Sequence, residues 1–119
     1  MFDASCCVDL HRLPELFCGF PRRQGEGPTL YPVACAPQAW ASAAVFLLLQ
    51  ASLGMEIDAA HQQIRFVNPH LPDFLKELRV TNLTVGSASV DLLFEPHAQE
   101  VTIKLLRREG DLQIITYNC

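Results

Sequence analysis

The chain has 119 residues and a mass of 13.3 kDa, enough for one ordinary domain and too little for two with full cores. Half of it is hydrophobic and 18% is charged, which excludes a disordered tail. The formal charge of -4 excludes the basic surplus of a nucleic-acid binder and a polybasic membrane-surface segment. From the N-terminus, Asp3 to about Arg12 reads as a short helix with Phe2, Cys6, Val8 and Leu10 as its apolar contacts. RLPELFCGF, residues 12–20, reads as a loop, because Pro14 is barred from a helix interior and Gly19 and Pro21 keep the chain irregular. Pro28 and Pro32 keep residues 27–35 extended or turned.

No charged residue stands between Glu26 and Glu56. Within that stretch PQAWASAAVFLLLQASLG starts on a proline suited to a first helical position and stops at Gly54. The pattern predicts one long helix over about 37–53, roughly 26 Å long at 1.5 Å per residue. It is apolar on nearly every face, so burial on nearly every face is expected. Gln38, Ser42, Gln50 and Ser52 dilute it and no Lys or Arg flanks it, which argues for a helix packed in a larger helical assembly and against a membrane span.

After Gly54 the period shortens. Residues 63–67 alternate briefly up to Asn68-Pro69, and LPDFLKEL (71–78) reads as a helical turn or a loop. Leu78 and Val80 alternate, then Leu83 and Val85. Val90, Leu92 and Phe94 point one way while Asp91, Leu93 and Glu95 point the other. A loop over 95–99 follows. Val101, Ile103 and Leu105 are expected to face inward, with Thr102, Lys104 and Leu106 outward. Glu109-Gly110-Asp111 reads as a tight turn before a last strand carrying Leu112, Ile114 and Thr116. The expected class is α+β: an antiparallel meander, mainly 78–117, covered on its apolar face by the 37–53 helix. Segments 1–54 and 55–119 together are expected to form one compact unit.

The chemistry-bearing residues are few. Cys6, Cys7, Cys18, Cys35 and Cys119 show no C-x-x-C spacing, and Asp3 and Asp9 stand where a secretory leader would be basic. Reduced thiols in a cytoplasmic protein, most of them buried as small hydrophobes, are expected. His11, His61, His70 and His97 lack metal-ligand spacing, so neither metal nor cofactor is expected. Gly25 and Gly27 lack the phosphate-loop spacing. Glu15 lies in an apolar loop among Leu13, Leu16, Phe17 and Phe20, the setting of a general acid or base; the alternative is a surface ion pair with Arg12 or Arg22. Tyr31 and Trp40 have the flat faces that stack on a sugar ring, and equally serve as packing material.

RLPELFCGFPR, followed by YPVACAPQAWASAA and the apolar helix, resembles the C-terminal end of bacterial glycogen-debranching-type glycoside hydrolases, the amylo-alpha-1,6-glucosidase-like group built on an (α/α)6 toroid. GMEIDAAHQQIRFVNPHLPDFLKELRVTNLTVGSASVDLLF and LLRREGDLQI look like the β segment that ends such chains, so the resemblance spans almost the whole sequence, with residues 12–42 its specific part. It implies that 1–54 supplies terminal toroid helices and a catalytic loop, with Glu15 as the later of two catalytic carboxylates, the base that activates water in inverting relatives. The earlier acid and most barrel helices would lie upstream of Met1. The implied substrate is α-glucan at α-1,6 linkages, the isolated chain is expected to be inactive, and its apolar helix is expected to need a homo-oligomer or the missing barrel segment as partner. The alternative is a stand-alone, non-enzymatic binding or assembly module that kept the fold.

Overall fold

A computed structural model describes residues 2–97 and 100–118. In chain order they form helix α1 (Phe2–Ser5), a 3-10 turn (Asp9–His11), helix α2 (Ala39–Ser52) and strands β1 (Met55–Asp58), β2 (Gln63–Val67), β3 (Leu78–Val85), β4 (Ala88–His97), β5 (Glu100–Glu109) and β6 (Gln113–Tyr117). The class is α+β, as the residue pattern predicts. Two compact units divide the chain, one up to Leu48 and one from Leu49.

In the first unit the N-terminal helix stops at Ser5, well short of the expected Arg12. The N–H groups of Cys7 and Val8 reach back only three residues, to Ala4 and Ser5, and Leu10 and His11 adopt φ of 54° and 58°. Ser, Cys and Val are middling helix formers, and so short a helix cannot offset its nucleation cost. Helix α2 starts two residues after Pro37, with the Gln38 side-chain oxygen accepting the Ala39 N–H at 3.0 Å. No residue of α2 is buried, and Trp40, Val45, Phe46, Leu47 and Leu48 are exposed. The expected burial on nearly every face is therefore not met: apolar residues spread around a whole helix need neighbours on all sides, and α1, with four residues, is too short to be one.

The second unit holds the core. Leu49, near the end of α2, and Leu53, just past it, pack there among the strands. Gly54 ends the helix at φ +54°, and a Cβ at this position would lie 1.9 Å from the Val67 carbonyl oxygen. The two residues are held this close by a backbone bond: the Val67 N–H donates to the Gly54 carbonyl at 2.9 Å, next to the first pair of the β1–β2 hairpin. Residues 71–77 form a loop, with the Leu75 N–H on the Pro72 carbonyl.

Among the described residues there are two three-stranded sheets where one meander is expected. Strands β3, β4 and β5 form the antiparallel meander. Strand β6 leaves it and pairs parallel with β2, whose other neighbour is β1. The physical reason is Leu112, buried between the turn at Gly110 and β6, which draws the chain across the core. Gly110 makes the departure close to β4, since a Cβ there would meet Ala88 at 3.0 Å. The inward phase of Val90, Leu92 and Phe94 is found as expected, and Leu93 on the opposite face is buried too. Leu105 departs from it. Asp91 pairs with Arg107 but Leu92 with Leu105, so Leu106 is the extra residue of a bulge and both leucines are exposed on an edge strand.

The sheets meet at Phe66 on β2 and Phe94 on β4, both fully buried, edge to face with ring centroids 5.4 Å apart. Phe94→Ala is expected to cost about 3–5 kcal/mol in urea unfolding of the full chain. Gly54→Ala is expected to lower the melting temperature more than an alanine substitution at exposed Gly25 does, because its Cβ strikes backbone and not a movable side chain.

Candidate functional site

The carboxylate singled out by the sequence lies in the first unit, on a pair of facing runs, 13–18 and 29–38. The two are tied at intervals. The Gln38 N–H donates to the Leu13 carbonyl at 3.3 Å, the Glu15 N–H to Cys35 at 2.9 Å and the Cys18 N–H to Thr29 at 2.8 Å, with Phe17 bridged to Leu30. A continuous ladder is impossible because Pro14, Pro32 and Pro37 have no N–H to give. Pro32 is instead the second residue of a turn that starts at Tyr31, closed by the Ala34 N–H on the Tyr31 carbonyl at 3.0 Å.

Glu15 is half-buried, and Leu13 and Pro14 beside it are buried. Its Oε2 accepts the Cys35 N–H at 3.3 Å, so backbone and side chain of Glu15 both hold Cys35. Among the described residues nothing donates to Oε1. The alternative of an ion pair with Arg12 or Arg22 is not what forms: among the described residues neither pairs with Glu15, and Arg22 pairs with Asp3 at 2.8 Å, while Arg23 pairs with Glu26 at 3.3 Å. Tyr31 and Trp40 are exposed, Tyr31 opening the turn that faces Glu15's run and Trp40 in the first turn of α2. No hydrogen bond or ring contact joins Glu15, Tyr31 and Trp40. The unit also has a cavity of about 230 Å³ lined by Asp3, Cys7, Cys18, Arg22, Glu26 and Thr29 among others; Glu15 is not one of its lining residues.

The cysteines depart from expectation. Cys6, Cys7, Cys18 and Cys35 are free thiols, but none is buried: Cys18 is half-exposed and the other three are exposed. Cys6 and Cys7 lie in the turn after α1 and Cys18 and Cys35 on the facing runs, where few of the described residues are buried. Cys119 lies outside the described residues. Among the described residues no cluster of three His, Cys, Asp or Glu is placed to hold a metal ion, and no helix is long and apolar enough to cross a membrane. The chain matches no protein-family model, no curated protein and no solved structure.

A second polar constellation, which sequence reasoning missed, lies on the β3–β4–β5 sheet. Arg107 donates to both Asp91 oxygens at 3.0 and 3.1 Å, to Ser89 Oγ at 3.0 Å and to Asn82 Oδ1 at 2.8 Å, and pairs with Glu109 at 2.8 Å. Asn82, at φ +55° in a bulge of β3, gives its own N–H to Asp91 at 2.8 Å. All five guanidinium donors are thus used, so this group is a cross-strand clamp with no donor left for a ligand. The hydrogen bond from Arg107, then that from the Asn82 N–H, hold the Asp91 carboxyl below its ordinary value; the bond to Asp91, then that to Glu109, raise Arg107. At the β1–β2 turn, the His61 ring and N–H likewise lower Asp58, at 2.8 and 3.2 Å.

The sign of the pH effect follows. A carboxylate with a depressed folded value stabilises fully above its unfolded value and loses that contribution as pH falls through the folded one. The melting temperature is expected to be flat from neutral pH down to about 5 and to fall below about 4. Asp91→Asn is expected to lower it at neutral pH and to make the acid fall shallower, as read by circular dichroism melts across pH.

Proposed function

We propose that this chain is the C-terminal part of a glycogen-debranching-type glycoside hydrolase acting on α-1,6 linkages of α-glucan, with Glu15 as general base. The observation that carries the reading is α2. A 14-residue helix without charge, exposing Trp40 and the consecutive residues Val45, Phe46, Leu47 and Leu48, is a helix prepared for helical neighbours on more than one side. A toroid of helical hairpins supplies such neighbours. The free thiols suit a reducing compartment, the cytoplasm.

Glu15 suits its role through positioning. The Cys35 N–H holds one carboxylate oxygen, leaving the other to take a proton from water. Inversion needs a second carboxyl roughly 6.5–9.5 Å away, protonated to serve the leaving oxygen. In this unit Asp3 and Glu26 are engaged by Arg22 and Arg23. The reading places the acid in the rest of the enzyme, not at Asp9, which lies in the 3-10 turn outside the Glu15 loop. Exposed Tyr31 and Trp40 supply stacking faces for sugar once the neighbouring helices are in place.

The 119-residue chain by itself is expected to release no glucose from a branched maltooligosaccharide. In a full-length hydrolase of this group, Gln at the position matching Glu15 is expected to lower turnover about 10²–10⁴-fold with an unchanged melting temperature. Turnover by the isolated chain overturns the fragment reading. Near-normal turnover by the Gln variant overturns the role of Glu15 and leaves its carboxylate as a brace of the loop, the part it would play in a non-enzymatic module.

A further inference from the structure

The two sheets have four edges: β1, β6, β3 and β5. Three of them carry charge, Glu56 and Asp58 on β1, Arg79 on β3, and Glu100, Lys104, Arg107, Arg108 and Glu109 on β5. Charge on an edge strand is a common protection against pairing with another chain. Strand β6 has none. Its sequence Gln113-Ile114-Ile115-Thr116-Tyr117 is uncharged and β-branched at its three central positions.

The register on β2 settles which backbone groups of β6 are free. The Gln113 N–H donates to the Gln62 carbonyl at 2.9 Å, and the Asn68 N–H donates to the Tyr117 carbonyl at 2.9 Å. In a parallel ladder alternate residues serve the same neighbour. Gln113, Ile115 and Tyr117 therefore turn their N–H and C=O toward β2. Ile114 and Thr116 turn theirs outward, and among the described residues no strand takes them.

We propose that β6 pairs antiparallel with β6 of a second copy of this chain, about a twofold axis through Ile115. With the axis there, Ile114 of one protomer stands opposite Thr116 of its partner, and the reverse. Each of these is a pair that exchanges both backbone hydrogen bonds, so every outward N–H and C=O of both edges is used. Ile115 meets its own copy at the non-hydrogen-bonded position, about 4.5 Å between Cα atoms, where side chains come closest. Gln113 faces the Tyr117 of the partner subunit, and no like charges oppose each other. Moving the axis to Ile114 or to Thr116 carries the other outward residue past the end of the strand. The β1–β2–β6 sheets of the two protomers become one sheet of six strands. A five-residue edge makes a small interface, so the dimer is a weak one that fills with concentration. The inference rests on the β6 edge and is independent of the glycosidase reading.

Sedimentation of the full chain across the micromolar range is expected to show a mass rising from 13.3 kDa toward twice that value. Thr116→Pro removes one outward N–H and leaves every bond to β2 intact, so it is expected to give a monomer with an unchanged circular dichroism spectrum. Ile115→Lys sets two ammonium groups against each other at the axis and is expected to be monomeric as well. An equal mixture of Ile115→Lys with Ile115→Glu is expected to recover the dimer, a rescue that a merely unfolded variant does not show. The proposal is overturned by a wild-type chain that stays monomeric throughout. A dimer that survives Thr116→Pro, or a Lys and Glu mixture that fails to associate, overturns it equally.

Discussion

Phe66 and Phe94 stand on the central strands of the two sheets, and their edge-to-face contact joins those sheets into one core. Two rings in that arrangement gain about 0.5–1.5 kcal/mol beyond the area they bury. Their larger consequence is geometric. Once β2 and β4 face each other through these rings, the remaining apolar residues have places to fill. Leu53 enters from the end of the helix, Leu71 from the loop after β2, and Leu112 from the turn after β5. Leu112 is the reason β6 lies beside β2 and not beside β5. The strand order therefore follows from filling this core, and so does the free edge that β6 presents.

The first unit is held differently. Among the described residues of this unit Leu13, Pro14 and Ser5 are buried, too few to make a core. Spaced backbone hydrogen bonds, proline turns and the carboxylate of Glu15 hold the facing runs instead. Such a unit keeps its polar groups and thiols near solvent. It also leaves Trp40, Val45, Phe46 and Leu47 of α2 exposed.

The Arg107 clamp shows how polar groups are handled where strands lose regular register. Bulges at Asn82 in β3 and Leu106 in β5 fall on either side of Asp91 in β4. Each bulge frees backbone and side-chain groups that need partners. Asp91 takes the Asn82 N–H, and Arg107 spans Asn82, Ser89 and Asp91 across all three strands. The same charges keep the β5 edge unattractive to other chains. The contrast with uncharged β6 is thus a contrast between an edge that carries charged side chains and one that carries none.

By itself the sequence determined the α+β class, the span of α2 to within two residues, and the inward phase of Val90, Leu92 and Phe94. These rest on interactions between residues a few positions apart: proline at a helix start, glycine at its end, alternation along one strand. It also marked Glu15 as a carboxylate in an apolar loop, though not the Cys35 N–H that occupies it, since that partner is twenty residues away. Tertiary structure decided the rest. The N-terminal helix shrank to Phe2–Ser5 because nothing packs around it strongly enough to extend it, and α2 stayed exposed because too few helices surround it. The parallel pairing of β6 with β2, the exposure of Leu105 and the clamp on Asp91 all depend on register between strands distant in the chain. No local pattern encodes register of that kind: it is chosen by which side chains fill the space between Phe66 and Phe94.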